Sequence, residues 1–424
     1  MSPRGIAGRT FQSLAVRNFR IYFISQGISM TGTWMQQIAQ MWLVLRLTNS
    51  GVALGLTAAL QFLPILVFGA WGGLIADRGD KRKLLLATQT LAGALAAGLA
   101  ALTLTGSVRL WMVYGFAAGL GLVNCVDNPT RQSFVIELVG APNAANAVSV
   151  NTTMFTIARI IGPATGGLVI ASIGLGYSFL INAISFVAVI GGLLMMRSSE
   201  FHRSQPLERA KGQVREGIRY AWANPPIRLS LVVMSVIGTL GFNLGVLFPL
   251  FAHETFHSGP QTFGIFMALL GLGAFIGALF SAVRSRPTPN LLLGSALIFG
   301  ALLVGVGSMP TLILEMAILV PTGAAMMLYQ VTSNATIQVN ADTVFRGRVM
   351  ALYIIVFLGT TPIGGPLVGW MAQEWGPRLA LAVGGVATML TAIIGLAWRF
   401  RTAHPTSGAG PLSETVELRR LAQH

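Results

Sequence analysis

The stretch Gly73-Leu74-Ile75-Ala76-Asp77-Arg78-Gly79-Asp80-Lys81-Arg82-Lys83 sets four cations and two anions in a tight connection between two long apolar runs, 51–76 and 84–105. Each run is long enough to cross a bilayer core, which takes about 20 mostly apolar residues as a helix. Working outward, further apolar runs occupy 21–45, 110–126, 147–173 and 177–196, and after a polar stretch 229–251, 263–283, 291–309, 312–331, 349–371 and 379–398. The pattern predicts twelve spans. Their length and unbroken apolarity predict helices, because lipid-facing barrel strands would alternate polar and apolar over about ten residues. Composition agrees: of 424 residues 54% are hydrophobic and 10% charged, with a mean hydropathy of +0.70, against roughly 25% charge in a soluble domain. No large soluble domain fits beside twelve spans, and the single cysteine, Cys125, excludes an intrachain disulfide.

The formal charge of +15 arises from 28 Lys and Arg against 13 Asp and Glu, a balance that in a soluble chain would suggest nucleic acid. Placement of the cations removes that need. With the N-terminus inside, all of them fall in cytoplasmic segments except Arg46, Arg109 and Arg378 outside and Arg159 within a span, the asymmetry expected of membrane topology. Both termini are therefore expected in the cytoplasm. The first apolar run is too long for a signal-peptide core and is expected to stay attached as a helix.

Four segments are expected: an N-terminal six-helix bundle (1–200), a cytoplasmic amphipathic linker (201–228), a C-terminal six-helix bundle (229–400) and a disordered tail (401–424). The linker carries Val214, Ile218 and Trp222 at helical spacing among Glu208, Lys211, Arg215, Glu216 and Arg219, a pattern suited to lying on a membrane surface. The halves look alike. Asn49-Ser50-Gly51 precedes the second span as His257-Ser258-Gly259 precedes the eighth, and Pro163 and Gly166 recur as Pro362 and Gly365. Such parallel repeats are one of the symmetries on which transporters are built.

The connection from Gly73 to Lys83 resembles the signature between spans two and three of the major facilitator superfamily, Gly-x-x-x-Asp followed by an Arg/Lys run. Twelve spans and the six-plus-six division extend the resemblance over nearly the whole chain. It implies an all-α integral membrane fold, twelve transmembrane helices in two pseudo-symmetric bundles. It also implies a gating loop made by Gly73, Asp77, Arg78, Lys81 and Arg82. Gly73 would allow close helix approach, and Asp77 would meet the N-terminal end of the eleventh helix, where unpaired N–H groups favour a carboxylate. Asp127 in the fourth span, with Arg131 one turn later, is implied to join a charge network with Arg82 or Lys81; a local i,i+4 pair with Arg131 is the alternative.

In the fifth span, Ala158-Arg159-Ile160-Ile161-Gly162-Pro163-Ala164-Thr165-Gly166-Gly167 resembles the exporter-associated motif Gly-x-x-x-Gly-Pro-x-x-Gly-Gly, with Ala158 in place of the first glycine. Pro163 cannot donate to the carbonyl four residues back, and the small residues let a neighbouring helix approach. Arg159 falls near the middle of this span, where a charge costs about 2.5–3.5 kcal/mol on insertion scales; it calls for a cavity, a substrate or a polar neighbour. Glu315, early in the tenth span, is a candidate proton carrier together with Asp127, or an interfacial acid.

The resemblance further implies that spans one, four, seven and ten line a central cavity, which makes Gln36, Gln40, Asn243, Met326, Tyr329 and Gln330 candidate substrate contacts. Neutral polar groups among aromatics and methionines suit an amphipathic ligand; polar bonding between helices would leave the same signature. His253-Glu254-Thr255-Phe256-His257 matches H-E-x-x-H, but Ser258-Gly259-Pro260 ends the segment and no third ligand is at hand, so no metal site is expected.

The wording Asn18-Phe19-Arg20, Thr33-Trp34-Met35-Gln36-Gln37, Asp127-Asn128-Pro129-Thr130-Arg131-Gln132 and Arg346-Gly347-Arg348-Val349-Met350 is similar to bacterial exporters of the enterobactin-exporter and macrolide-efflux branch. That similarity implies proton-coupled export of a hydrophobic or amphipathic small molecule (a drug, siderophore or other secondary metabolite) by alternating access. The expected setting is the bacterial cytoplasmic membrane, with the protein as a monomer whose partners are substrate, protons and lipid. No cofactor, enzymatic activity or nucleic acid is expected. A solute:proton importer of the same fold is the nearest rival; an intramembrane metalloprotease and a non-transporting receptor are more distant ones.

Overall fold

The computed structural model describes residues 12–202, 213–283 and 287–403, and every regular element among them is helical. The first bundle comprises α1 (Arg17–Thr48), α2 (Gly51–Arg78), α3 (Lys81–Leu104), α4 (Leu110–Val139), α5 (Ala144–Ser172) and α6 (Leu175–Met195). A short helix α7 (Gln213–Ala223) follows; α8 (Pro225–Leu240), α9 (Leu244–Leu250) and a π-helical turn (Phe251–Thr255) then make up a broken seventh span. The rest is α10 (Pro260–Val283), α11 (Pro289–Ser308), α12 (Leu312–Asn340), α13 (Thr343–Trp375) and α14 (Pro377–Ala403). Helix starts coincide with capping residues. Ser50, Asp80, Asn224, Thr288 and Thr311 each accept a hydrogen bond from the backbone N–H three residues on, satisfying donors that a helix start leaves unpaired.

Eleven helices among the described residues are long and apolar enough to cross a membrane. The twelfth, α1, has 32 residues but is more polar, with Gln26, Gln36 and Gln40 buried against other helices rather than facing lipid. The molecule is thus a twelve-span helical membrane protein. Within the first bundle α1 packs on α5 and α6, α2 on α4, and α3 on α6; in the second the seventh span packs on α13 and α14, α10 on α12, and α11 on α14. Every pair recurs six spans later. Asn49 and His257, from the repeated tripeptides, are the two non-glycine residues with positive φ among the described residues, at +47° and +49°. The turn itself is duplicated.

The bundles meet through α2 with α13 and α5 with α10. These contacts are tightest at the end away from the N-terminus, hereafter the distal end; the other, carrying Arg17, Lys81, Arg82 and the start of α13, is the basic end. At the distal end a Cβ on Gly51 would strike the carbonyl of Gly369, one on Gly55 the carbonyl of Gly365, and one on Gly264 the carbonyl of Pro163. Toward the basic end the contact loosens: a Cβ on Gly359 would meet the Leu66 side chain at 3.4 Å, and one on Gly271 would meet Ile160 at 3.2 Å and the Arg159 carbonyl at 3.3 Å. Trp42 of α1 adds to the distal seal, with its ring 6.1 Å from that of His253 and 6.4 Å from that of Phe263.

The fourth, seventh and tenth spans differ from the sequence reading, the tenth running on to Asn340 rather than ending near 331. The fourth span does not end near Val126 but continues as helix to Val139, because Phe134, Val135 and Leu138 are buried beside Phe19, Tyr22 and Leu85. The seventh breaks at Gly241–Asn243, where the Asn243 amide donates to the carbonyls of Gly238 (3.1 Å) and Thr239 (2.8 Å). The amide thereby supplies donors that the broken helix lacks in a bilayer. α7 lies against the start of α13: Tyr220 stacks on Phe345 at 4.5 Å and Arg348 pairs with Glu216 at 2.5 Å. Its Ile218 and Trp222 are left exposed. The linker residues Glu208 and Lys211, the cations Arg203, Arg209, Arg284 and Arg286, and the tail from 404 onward lie outside the described residues.

Because Gly55 meets backbone and Gly73 meets nothing within 4 Å, the two should respond oppositely to enlargement. Gly55→Leu is expected to destabilise by about 1–3 kcal/mol through overpacking. Gly73→Ala should leave stability unchanged or slightly raised, since alanine is the better helix former. Melting midpoints in detergent check both.

Candidate transport site

The α2–α3 connection consists of Gly79 and Asp80, with α2 helical through Arg78 and the Asp80 carboxylate accepting from the Lys83 N–H at 3.1 Å. Asp77 is half-buried in the last turn of α2, and Arg78 beside it is exposed. Lys81 is buried and pairs with Glu137 at 2.6 Å. Arg82 donates to the carbonyls of Leu193 (2.8 Å) and Leu194 (3.0 Å), near the C-terminal end of α6, where unpaired carbonyls attract a cation.

Asp127 is met by neither. It pairs with Arg131 and accepts from Thr88 Oγ1 and Gln89 Nε2, both at 2.7 Å. The expectation of Arg82 or Lys81 as its partner is corrected, and the physical reason is depth. Lys81 and Thr88 are seven residues apart on α3, about 10 Å at 1.5 Å per residue, so the acid level with Lys81 is Glu137, ten residues beyond Asp127 on α4. Glu137 was missed because the fourth span was read as ending before it; the signal was the buried set Phe134, Val135 and Leu138 around it. Gly73 is corrected likewise. The close approach belongs to Gly72, where a Cβ would strike the carbonyl of Cys125 on α4.

The fifth-span motif behaves as its small residues require. Gly162 sits against Trp34 and the Thr31 carbonyl of α1, Gly166 against Met35, and Gly167 against Pro260 and Gln261 of α10. Pro163 presents its carbonyl to Gly264. α5 is thereby clasped between α1 of its own bundle and α10 of the other. Arg159 lies over the Trp34 ring at 5.7 Å, and Trp34 meets Phe155 edge-on at 5.8 Å. On the far flank of the α1–α5 contact, Phe23, Ile24, Ile28, Met154 and Ile157 line a largely apolar groove of about 540 Å³.

The candidate cavity residues divide. Gln36 accepts from the Asn182 amide at 2.7 Å and is buried against α6; with Asn243 turned onto its own helix, both serve helix packing and are corrected as cavity contacts. Gln40 is buried with its Nε2 unpartnered, as is the Tyr329 hydroxyl. Met326 is buried, whereas Gln330 is half-buried and its carbonyl accepts from the Tyr353 hydroxyl at 3.4 Å. Phe242, at the break, gathers Phe299, Tyr329 and Phe357 within 6.3 Å. Glu315 is no interfacial acid: it is fully buried in the first turn of α12, and neither carboxylate oxygen has a hydrogen-bond partner. The H-E-x-x-H segment falls on the π turn and the left-handed His257, so its histidines do not share an α-helical face.

Two six-helix bundles joined by paired glycine contacts, with buried charges within the spans, define a multi-pass membrane transporter of the major facilitator type. The chain belongs to the family described as transmembrane secretion effector, which matches residues 9–412. It is similar to the staphyloferrin A transporter of Staphylococcus aureus, with 26% identity over 384 residues covering 88% of this chain and 94% of that protein. It is also similar to the enterobactin exporter EntS of Citrobacter koseri, with 24% identity over 411 residues covering 93% and 96%. Among solved structures, a bacterial homolog of the human lysosomal transporter Spinster in an inward-facing, unoccupied conformation shares the fold, with a TM-score of 0.71 and 16% identity over 93% of this chain and 99% of that one.

The pairing of Lys81 is open to a double-mutant cycle. Glu137→Leu alone should cost about 3–5 kcal/mol by leaving a buried charge unpaired, and Lys81→Met added to it should recover most of the loss. Positions 81 and 127 should instead be additive within about 0.5 kcal/mol, as read from unfolding midpoints.

Proposed function

We propose that the protein is a proton-coupled exporter of a hydrophobic or amphipathic small molecule, working by alternating access as a monomer in a bacterial cytoplasmic membrane. The basic end, by the positive-inside asymmetry, faces the cytoplasm together with both termini. The observation that carries the reading is the one-sided seal. Backbone contact between the bundles is tightest at the distal end, at Gly51, Gly55 and Gly264, and it loosens toward the basic end. Such a molecule is closed to the outside and free to part inward; rocking about the seal would reverse the access. The names of its relatives, a siderophore transporter and a siderophore exporter, support export and a small organic cargo. Asp77 is proposed to latch the cytoplasmic side when it closes against α13, and Asp127 and Glu315 are the proposed proton carriers.

Accumulation of a panel of amphipathic dyes and iron chelators in cells tests this. Wild type should lower accumulation only while the proton gradient stands, and a protonophore should abolish the difference. Asp77→Asn should leave the protein inserted but slow export several-fold. Wild-type rates in that variant would remove the latch, and raised uptake by wild type would make the protein an importer.

A further inference from the structure

Arg159 is the fifteenth residue beyond Ala144, so it stands about 22 Å along α5 at 1.5 Å per residue, near the middle of the 29-residue helix. Its surroundings follow from the contacts of that helix. Gly162 and Gly166 meet α1, while Ile160, Pro163 and Gly167 meet α10. At 100° per residue Arg159 falls in the narrow arc between these two stripes, in line with Val148, Thr152 and Phe155, all exposed on the turns toward the basic end. The wide arc on the opposite side carries exposed Ile157, Ile161 and Leu168 and faces lipid. Arg159 therefore points into the space between the two bundles, where alternating access would admit cargo.

The guanidinium has no resident counter-ion there. It makes no ion pair or hydrogen bond among the described residues, and its single charged-group contact is with the face of Trp34. Asp127 is held by Arg131, Thr88 and Gln89, and Glu137 by Lys81, while Glu315 lies in the first turn of α12 at the distal end. An arginine keeps its charge in a protein, and one at mid-membrane normally faces a pair partner or a path. Its planar fork matches a carboxylate bidentately. Trp34 and Phe155, edge to face beside it, offer ring surface for an apolar body.

We propose that Arg159, Trp34 and Phe155 form the anion subsite of the translocation path, and that the substrate class is an amphipathic organic anion, a carboxylate or similar oxyanion on an apolar or aromatic body. This rests on the transporter reading above and narrows its cargo. The shared chemistry of an oxyanion is also offered by an anionic lipid headgroup, so the test separates the two.

Binding of radiolabelled 2-naphthoate and its neutral amide to the purified full chain in neutral detergent, with empty micelles subtracted, provides that test. The carboxylate should bind about ten- to a hundredfold more tightly than the amide, the factor expected of a charge-assisted hydrogen bond. Arg159→Gln should abolish that preference, and Arg159→Lys, which keeps the charge, should retain part of it. Phosphatidylglycerol should displace naphthoate no better than phosphatidylcholine does. Equal affinities, absence of naphthoate binding, a preference that survives in Arg159→Gln, or selective displacement by phosphatidylglycerol would each overturn the subsite. Proton-dependent export of neutral dyes by wild type, measured in parallel, separates failure of this assignment from failure of the exporter reading.

Discussion

Helices in a bilayer gain little hydrophobic energy by leaving lipid for one another, so their association depends on how closely backbones can approach. In this protein that constraint falls on a handful of glycines at the distal end. Gly51 and Gly55 of α2 meet Gly369 and Gly365 of α13, and the Pro163–Gly167 stretch of α5 meets Pro260 and Gly264 of α10. Two crossings related by the internal duplication hold one bundle to the other, and both are tightest at the same end. The separation toward the basic end, the exposed stripe on α5 and the placement of α7 across the start of α13 are all arranged around that seal.

Charge does for the interior of the first bundle what glycine does between the bundles. Lys81 with Glu137 ties α3 to α4, Arg82 ties α3 to the end of α6, and Asp127 draws Thr88 and Gln89 of α3 onto α4. Buried pairs contribute little net stability, but breaking one is costly, so they act to fix the helices in register. The second bundle is organised differently. Its seventh span is interrupted, with Asn243 bonding the freed carbonyls of Gly238 and Thr239, and Phe242 surrounded by rings. The duplicated fold thus has one bundle stiffened by ion pairs and another with a local break beside the path.

The fold was legible because lipid imposes a simple signal: long apolar runs, cations on one side and repeated turn residues. Asn49 and His257 illustrate how far that reached, since the tripeptides picked out as a repeat are those in which the backbone turns left-handed. The site was less legible. Charge order along a chain carries no depth, so Asp127 drew the loop cations in the sequence reading, although Glu137 lies at their level. Polar Pro129-Thr130-Arg131-Gln132 imitates a loop, yet it lies within a helix whose next turns are buried. One residue of rotation separates Gly72, against Cys125, from Gly73, with no neighbour. Gln36 and Asn243 have the composition of cavity residues and the contacts of packing residues; only their partners tell these apart.

Arg159 and Glu315 are both charged residues set within spans without a hydrogen bond to either head group among the described residues, and chemistry gives them different solutions. A carboxyl can be neutralised by taking a proton, so Glu315, fully buried at the sealed end with both oxygens unpartnered, can remain enclosed when the bundles close over it. A guanidinium has no such option and must meet water or an anion. It is accordingly Arg159, and not Glu315, that stands on the stripe facing the space between the bundles. In a rocking transporter, the acid that can shed its charge belongs where the protein closes, and the cation that cannot belongs where the path remains accessible.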